Sequence, residues 1–445
     1  MSPQESSGPP STSLRRQLGL ATATAAVAGE CIGVGIFLTP AGMAKSLGSP
    51  FWLIFVWIAV SLMTLCGALC YGELAARFPR PGGTYVYLHE VFGSRVAFLY
   101  GWMSLLVLDP GLAASLATGL AGYAAFVFPL SPAGGRILGV SVVAVLCLIN
   151  MASTRAGGGF LRWTTWLKFA VLGAIVVLAF ALRTGSFSNL SPFFPQRPGS
   201  LPLFAGLAVG LVGAFYSFGG WWDVCKIGGE IRDPERNLPR AMIVGVILVA
   251  ATYVFITIAF LYVVPIESVA SDQAFVAQFG QVLFGRSGAL VFSFIVVLCV
   301  LGSLATVVMA APRVYFAMAS DGIFFRSVGR PHPRFGTPWR AIAIQGTIAS
   351  LLILLASFQE IVAYFIFPAV FFMGLSVAGL AAIRRQPNAA PASFSTPGYP
   401  LTMLIFLAMF VLLLVMLAVH SPRQTGLGAA VVLLGWPLYR FVRRH

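Results

Sequence analysis

Residues 30–40 decide the fold, and they read Glu30-Cys31-Ile32-Gly33-Val34-Gly35-Ile36-Phe37-Leu38-Thr39-Pro40. This stretch lies in an apolar run at 19–43 that is long enough to cross a hydrocarbon core of about 30 Å as a helix. Glycine inside a helix costs about 1 kcal/mol relative to alanine, so two glycines one residue apart favour unwinding. The stretch therefore predicts a membrane-spanning helix that is broken near its middle.

The composition of the whole chain excludes a water-soluble fold. The 445 residues are 58% hydrophobic and 9% charged, whereas soluble domains carry about 25% charged residues. Further apolar runs of roughly 20 residues follow the first, so we expect an all-α integral membrane protein with about twelve transmembrane helices. After 19–43, the predicted spans are 50–76, 96–128, 137–152, 162–182, 203–229, 240–264, 288–318, 340–357, 361–383, 400–419 and 425–442.

The positive charges predict the orientation of these helices. The formal charge is +15, but a cytoplasmic N-terminus puts 20 of the 28 Lys and Arg residues in cytoplasmic segments or inner helix ends and only 6 in external segments. Lys168 and Lys226 remain inside spans. This asymmetry follows the positive-inside rule and argues against a nucleic-acid surface. We expect a multi-pass protein of the cell (inner, cytoplasmic) membrane, in contact with lipid and with both termini cytoplasmic.

A second break is predicted at Gly219-Gly220, in the sixth span, five helices after the first break. Five helices between equivalent points reverse the membrane orientation, so the two units would be inverted repeats, as in many secondary transporters. We place the first five-helix repeat at 19–182, the second at 203–383 and two additional helices at 400–442. Residues 1–18 are rich in Ser and Pro and are expected to form a disordered cytoplasmic tail without a signal peptide.

Unwound backbone at membrane depth must line a cavity or meet a ligand. An outer half-helix beginning near Ile36 would offer N–H groups and a positive dipole end to a carboxylate. Carbonyls near Ile32, and near Tyr216 and Ser217 in the sixth span, would converge on an ammonium group. The pattern favours an α-amino acid substrate. The alternative is that the glycines only allow helices to pack closely.

Three segments resemble the amino acid, polyamine and organocation superfamily, and within it the L-type amino acid transporter branch. They are Ile32 to Pro40; Cys66-Gly67-Ala68-Leu69-Cys70-Tyr71-Gly72-Glu73-Leu74 with Pro81-Gly82-Gly83-Thr84-Tyr85-Val86-Tyr87; and Phe218-Gly219-Gly220-Trp221 with Gly229-Glu230 and Arg232-Asp233-Pro234-Glu235-Arg236-Asn237-Leu238-Pro239. The resemblance covers nearly the whole chain. It implies a leucine-transporter-like core of five plus five inverted helices, discontinuous first and sixth helices, and amino acid transport by alternating access.

The resemblance also implies the residues of the site. Substrate would be bound by Ile32, Gly33, Val34, Gly35, Tyr216, Ser217, Phe218, Gly219 and Trp221. Tyr216 would close over the substrate, and Trp222, which replaces a smaller polar residue, would reshape the pocket. Lys168 would place its ammonium where sodium-coupled relatives bind a cation, with Ser303 as its hydroxyl partner, which implies sodium independence. The alternative for Lys168 is snorkelling to the interface, and snorkelling is the role expected of Lys226.

Three acidic residues, Glu30, Asp109 and Asp223, are predicted deep in the membrane, where carboxylates are functional by default. Glu30 is a candidate to bind a substrate amine or carry a proton. Asp109 and Asp223 also have structural interpretations. Asp109, before Pro110, would accept hydrogen bonds from backbone donors freed by a kink, and Asp223 would offset a helix dipole. The first hypothesis for the function is an amino acid exchanger or proton-coupled carrier. Because of these three acidic residues, a carrier of cationic amino acids or polyamines is the alternative. A transporter-like sensor is a third hypothesis.

Other classes of function are disfavoured by the sequence. No nucleophile and base pair and no metal-ligand spacing is apparent, so we expect neither an enzyme nor a cofactor or metal. All six cysteines lie within predicted spans and are expected to be free thiols. The external segment 131–136 has no cysteine, so no obligatory disulfide-linked partner is expected.

Overall fold

The structure, a computed structural model, describes residues 16, 18–152, 157–269, 275–330, 332–333, 335, 337–386 and 392–442. Most of the predicted N-terminal tail lies outside these residues. The described residues form seventeen α-helices: α1 (Leu20–Cys31), α2 (Gly35–Leu47), α3 (Pro50–Arg77), α4 (Thr84–Phe92), α5 (Ser94–Met103), α6 (Asp109–Val127), α7 (Pro132–Ala152), α8 (Gly157–Ala181), α9 (Leu203–Phe218), α10 (Pro234–Val263), α11 (Phe275–Ala310), α12 (Pro312–Ser320), α13 (Arg326–Gly329), α14 (Trp339–Leu355), α15 (Phe358–Arg384), α16 (Leu401–His420) and α17 (Pro422–Val442).

Length and apolarity identify nine helical segments among the described residues that could cross a membrane, and a bent pair that makes a tenth. The bent pair is α1 with α2, whose axes differ by 40°. Each of the twelve predicted spans coincides with helix, but α14 is a shorter apolar helix of 17 residues and α17 is not among the ten. The prediction of an all-helical membrane protein is therefore confirmed. Of the twelve predicted spans, ten meet the criteria of length and apolarity.

The first span is broken where its glycines predict. Helix α1 ends at Cys31, Ile32 leaves helical geometry with ψ of 65°, and α2 begins at Gly35. Helix α2 ends at Leu47, and the next residue, Gly48, has φ of 58°, the left-handed geometry that glycine adopts without steric cost. The unwound segment is thus three residues long and lies between two short helices of one span.

The sixth span is also broken at its glycine pair. Helix α9 ends at Phe218, and Gly220 has φ of 99°, a conformation that other residues rarely adopt. The chain then continues as a 3₁₀ helix over Asp223–Glu230, not as the α-helical inner half that we expected. A side-chain carbon on Gly220 would lie 2.8 Å from Cβ of Glu30, so this glycine is needed for the approach of the two breaks as well.

The two broken spans lie against each other with their backbones in close contact. A Cβ atom on Gly35 would lie 2.6 Å from Cα of Ser217. The hydroxyls of Thr39 and Ser217 are 2.8 Å apart, and the thiol of Cys31 donates to the carbonyl of Phe218 at 3.3 Å. The glycines therefore have both of the predicted roles: they permit unwinding, and they let two helices pack closely.

Several elements were not expected from the hydrophobic pattern. Helix α4 and the short helices α12 and α13 lie in segments predicted as cytoplasmic or as the end of a span. Helix α11 begins at Phe275, well before the predicted start of the eighth span, and is interrupted at Phe284 and Gly285. A π-helical turn over Ser104–Leu108 immediately precedes Asp109 and supplies the predicted irregularity in the third span.

Adding a methyl group at Gly35 tests the close approach of α2 to α9. Because the new Cβ would overlap Ser217, we expect Gly35→Ala to lower the free energy of unfolding by about 1–3 kcal/mol, the usual cost of overpacking. The midpoint of thermal unfolding in detergent measures the change. Gly173→Ala is the matched control, since a Cβ there has no neighbour within 4 Å. Equal midpoints for the two variants would contradict the prediction.

Candidate functional site

A cavity of about 20 Å³ lies where the two breaks meet, room for roughly one water molecule. Its lining is Glu30, Cys31, Gly33, Val34, Gly35, Leu112, Leu116, Tyr216, Gly219, Gly220 and Val307. Five of the nine residues predicted to bind substrate are in this list, so the structure brings together the central part of the predicted site.

A larger space of about 450 Å³ lies on the side predicted to be external. It is lined by the outer parts of α2, α6, α9, α15 and α16, together with the segment before α9, and we call it the vestibule. Its volume is typical of sites for small molecules. The vestibule and the cavity are neighbours, because Tyr216 lines both.

Tyr216 separates the vestibule from the cavity. Its hydroxyl donates to Oγ of Ser115 in α6 at 2.9 Å. Its ring packs edge-on against Phe358 of α15, with centroids 5.5 Å apart and planes at 87°. The ring also packs against Phe365, with centroids 6.2 Å apart. Rotation of this one side chain would break one hydrogen bond and two aromatic contacts, so the residue is suited to opening and closing the cavity.

The N-terminus of α2 supplies hydrogen-bond donors to the cavity. Gly35 is the first residue of this helix and lines the cavity. The N–H groups of Gly35 and Ile36 have no acceptor within their own helix, since the first turn lacks preceding carbonyls. The helix dipole adds a partial positive charge at the same end. This end of α2 can therefore bind a carboxylate.

The carbonyls at the breaks are partly occupied by side chains of the protein. The hydroxyl of Tyr253 lies 2.6 Å from the carbonyl oxygen of Cys31 and 2.8 Å from that of Ser217. Ser303 Oγ lies 3.3 Å from the carbonyl oxygen of Ile32. A carbonyl oxygen has two lone pairs, so each can accept one further hydrogen bond. Nothing in the sequence pointed to Tyr253, because its partners are distant in the chain.

Four residues predicted to bind substrate are not part of the cavity lining, and neither is Trp222, which was predicted to reshape the pocket. Ile32 is fully buried, and the hydroxyl of Ser217 donates to the carbonyl of Gly213 at 2.9 Å. The ring of Phe218 packs on Tyr253. Trp221 lies edge-on to Tyr71, with ring centroids 5.1 Å apart, and Trp222 stacks on Phe215, so neither indole is part of the cavity lining.

Lys168 and Ser303 meet at the carboxyl end of α1. The Lys168 ammonium donates to the carbonyl of Gly29 at 2.7 Å and to Oγ of Ser303 at 2.6 Å. The lysine side chain is 1% exposed. It points into the protein and fixes the end of α1 against α11, so the alternative of snorkelling to the interface does not describe it.

Lys226 was expected to snorkel, and this expectation is wrong. Its side chain is buried, and its ammonium lies 2.9 Å from a carboxylate oxygen of Asp223 and 3.4 Å from one of Asp109. The hydroxyl of Tyr315 donates to the other oxygen of Asp109. Two carboxylates hold the ammonium inside the protein because an unpaired buried charge is costly. Asp109 thus pairs with a side chain and not with backbone donors at the kink.

Glu30 occupies a different environment from the other two acids. It lies in the last turn of α1 and lines the cavity. Its Oε2 atom is buried and has no hydrogen-bond partner among the described residues. The described residues contain no group of three or more His, Cys, Asp or Glu side chains that could hold a metal ion. The free oxygen of Glu30 therefore faces the cavity without a metal site beside it.

Further polar contacts lie on the side of the site that is predicted to be cytoplasmic. Glu230 and Arg313 form an ion pair at 3.0 Å, and the hydroxyl of Tyr85 donates to Asp321 at 2.7 Å. Glu230 and Tyr85 belong to segments singled out in the sequence, but their partners lie in α12 and the turn after it. Only the folded structure brings them together. These contacts join loops that follow the second, sixth and eighth spans.

A double-mutant cycle tests the ion pairs of Lys226. We expect Lys226→Met to lower the free energy of unfolding by about 3–5 kcal/mol, because it leaves buried carboxylates unpaired. Asp109→Asn in the same chain should recover part of this loss, giving a coupling of about 0.5–3 kcal/mol. Thermal unfolding in detergent provides the readout, with the exposed Arg236→Met as control. Strict additivity would show that the pair is not coupled.

Comparison with known proteins places this geometry in a family. The chain matches the family model for amino acid permease over residues 18–436. It is 28% identical over 435 residues to the serine/threonine exchanger SteT of Bacillus subtilis (strain 168), covering 97% of this chain and 98% of that protein. It is 28% identical over 446 residues to the large neutral amino acids transporter small subunit 2 of Homo sapiens (98% and 82%), and 26% identical over 445 residues to the b(0,+)-type amino acid transporter 1 of Rattus norvegicus (99% and 90%). A family match over nearly the whole chain means that this protein belongs to the amino acid permease family.

Proposed function

We propose that the protein is a secondary active transporter that exchanges amino acids across the cell membrane by alternating access. The observation that carries the proposal is the meeting of two broken helices at a cavity that Tyr216 separates from the vestibule. The cavity of about 20 Å³ holds about one water molecule, so an amino acid fits only when Tyr216 rotates and joins the cavity to the vestibule. Unwound backbone at this depth is tolerated only where it is buried or lines a cavity. The family supports an amino acid as the substrate, and the similarity to a bacterial serine/threonine exchanger supports exchange.

The proposed architecture has twelve transmembrane helices with both termini in the cytoplasm. Helices within 19–182 and 203–383 form the two inverted repeats, and 400–442 contributes two peripheral helices. Support comes from the two matched breaks, one in each proposed repeat, and from the arginine-rich segments at one end of the bundle. The vestibule then opens to the external side, while the contacts of Glu230 with Arg313 close the cytoplasmic side.

The substrate is bound as a zwitterion in this proposal. Its carboxylate accepts from the free N–H groups at the start of α2, beside Gly33 and Gly35. Its ammonium donates to carbonyl lone pairs at the two breaks, including those of Ile32 and Ser217. Tyr216 then turns over the bound molecule and excludes water from the vestibule. Opening of the cytoplasmic contacts releases the substrate inside, and a second amino acid makes the return.

Lys168 makes the cycle independent of sodium. Its ammonium already supplies a positive charge between α1, α8 and α11 and donates to Gly29 and Ser303. A sodium ion at the same place would meet a like charge a few ångströms away in a medium of low dielectric constant. The lysine ammonium therefore has the structural role that a bound cation would have at this place.

We further propose that the chain works without a disulfide-linked partner. The human relative is named as the small subunit of a transporter, and this name applies to that protein. In this chain all six cysteines are buried free thiols. A disulfide to a second chain needs a thiol at the surface, so the positions of these cysteines support the proposal.

Uptake into proteoliposomes tests the proposed function. Vesicles containing the purified protein are preloaded with unlabelled L-serine, L-threonine or L-leucine, and uptake of the labelled amino acids is followed in sodium chloride or choline chloride. We expect saturable uptake that internal substrate stimulates severalfold and that sodium leaves unchanged. Protein-free vesicles are the control. Sodium-dependent uptake, or uptake indifferent to internal substrate, would overturn the mechanism, and absence of amino acid uptake would overturn the function.

Replacing Lys168 tests the proposed coupling residue. Lys168→Met removes the donor to Gly29 and Ser303 at the end of α1, so we expect the exchange rate to fall at least tenfold. Arg183→Met removes an exposed positive charge just beyond the same helix and should leave the rate near that of the wild type. Size-exclusion profiles verify that both variants are folded. A fully active Lys168→Met protein would remove this lysine from the mechanism.

Labelling of introduced cysteines tests the direction in which the vestibule opens. Ser46 lines the vestibule, and we expect Ser46→Cys to react in intact cells with a membrane-impermeant maleimide. The native cysteines are buried and give a low background. Ser327→Cys, on exposed α13 at the opposite end, should react only after permeabilisation. The reverse pattern would contradict the proposed orientation.

A further inference from the structure

We propose that Glu30 forms a subsite for the positively charged side chain of a cationic amino acid. This inference rests on the proposed function and adds the class of substrate to it. The α-carboxylate and α-ammonium groups of every amino acid bind at the helix breaks, as described above. A second positive group, on the side chain, binds the carboxylate of Glu30.

The position of Glu30 is the first observation behind this assignment. The residue lies in the last turn of α1 and shares the cavity lining with Gly33 and Gly35 at the start of α2. Its Cβ approaches Gly220, where any larger residue would displace it. The broken sixth span thus leaves room for the side chain of Glu30 inside the site.

The unpaired oxygen of Glu30 is the second observation. Its Oε2 atom is buried and has no hydrogen-bond partner among the described residues. The carbonyl oxygens of Cys31, Ser217 and Ile32, in contrast, each meet a hydroxyl of the protein. A buried carboxylate without a donor is costly, and a cation that binds it recovers this free energy. Glu30 is therefore the strongest acceptor left for a ligand in this cavity.

The balance of charge around the site is the third observation. The charged neighbours of Glu30 are Asp109, Asp223, Lys168 and Lys226. Lys226 is paired with both aspartates, and Lys168 donates to neutral groups. Both ammonium groups of this cluster are therefore engaged elsewhere, and neither is paired with Glu30. A zwitterion places its one ammonium at the helix breaks, whereas a cationic amino acid brings a second positive group that can pair with Glu30.

Inhibition of exchange by unlabelled ligands tests the inference. Wild-type proteoliposomes exchanging L-serine are treated with L-arginine, L-ornithine or L-2,3-diaminopropionate, and with the neutral L-leucine and L-threonine. We expect at least one cationic amino acid to inhibit at tenfold lower concentration than the neutral ones. The corresponding diamine, which lacks the carboxylate for the N-terminus of α2, should inhibit less than its parent amino acid.

Glu30→Gln then tests the residue itself, because glutamine keeps the shape of the side chain and removes its charge. We expect the ratio of cationic to neutral inhibition constants to rise at least tenfold, whereas the exposed Glu235→Gln control leaves it unchanged. The wild-type measurement stands even where the variant fails to fold.

The remaining outcomes overturn the inference in distinguishable ways. Exchange of neutral amino acids without inhibition by any cationic one would refute the subsite and leave the proposed function intact. An equal loss of both classes in Glu30→Gln would make Glu30 an acceptor for the α-ammonium group. Cotransport of one proton with neutral amino acids, abolished by Glu30→Gln, would make the proton its ligand. Absence of all amino acid exchange would refute the proposed function instead.

Discussion

Backbone polar groups that leave a helix at membrane depth need partners inside the protein, and the rest of the site depends on this constraint. Each break frees carbonyls that lipid cannot satisfy. The chain answers with side chains from remote helices: Tyr253 reaches Cys31 and Ser217, and Lys168 with Ser303 holds the end of α1. The breaks are therefore stable because α8, α10 and α11 pack around them, and their geometry is a property of the whole bundle.

The same constraint governs the charges. Lys226 is kept in the interior by two carboxylates. At the end of the bundle that is predicted to be cytoplasmic, Glu73 is fully buried because Arg77 and Arg384 pair with it. Association of helices in lipid gains little from the hydrophobic effect, so such ion pairs and close glycine contacts hold the bundle together. Glu30 departs from this pattern, since its oxygen faces the cavity without a partner of its own.

Much of the fold could be predicted because its determinants are local. Glycine pairs placed both breaks correctly, and apolar runs placed most helix ends within about six residues. The start of α11 is the exception, since the helix begins at Phe275 and the predicted span at 288. The pairing of Lys168 with Ser303 was predicted by resemblance and is present in the structure, although their roles remain proposals. The buried ion pair of Lys226 with Asp109 could not be predicted, because the two residues are distant in sequence and meet only when the third and sixth spans pack together. The 3₁₀ geometry of Asp223–Glu230 was also not predicted, although this segment contains Gly228 and Gly229, which disfavour a regular α-helix.

The distribution of close and polar contacts also limits what can move in the proposed cycle. The seam of α2 and α9 is packed backbone to backbone at Gly35 and Ser217, and such a contact cannot slide without a clash. The proposed cytoplasmic closure consists of polar contacts such as Arg313 with Glu230, and each of these groups can replace its partner with water at a modest cost in free energy. Tyr216, held by one hydrogen bond, is comparably easy to displace. Movement is therefore expected in the tyrosine and the cytoplasmic contacts, while the two broken helices travel together as one unit and preserve the site.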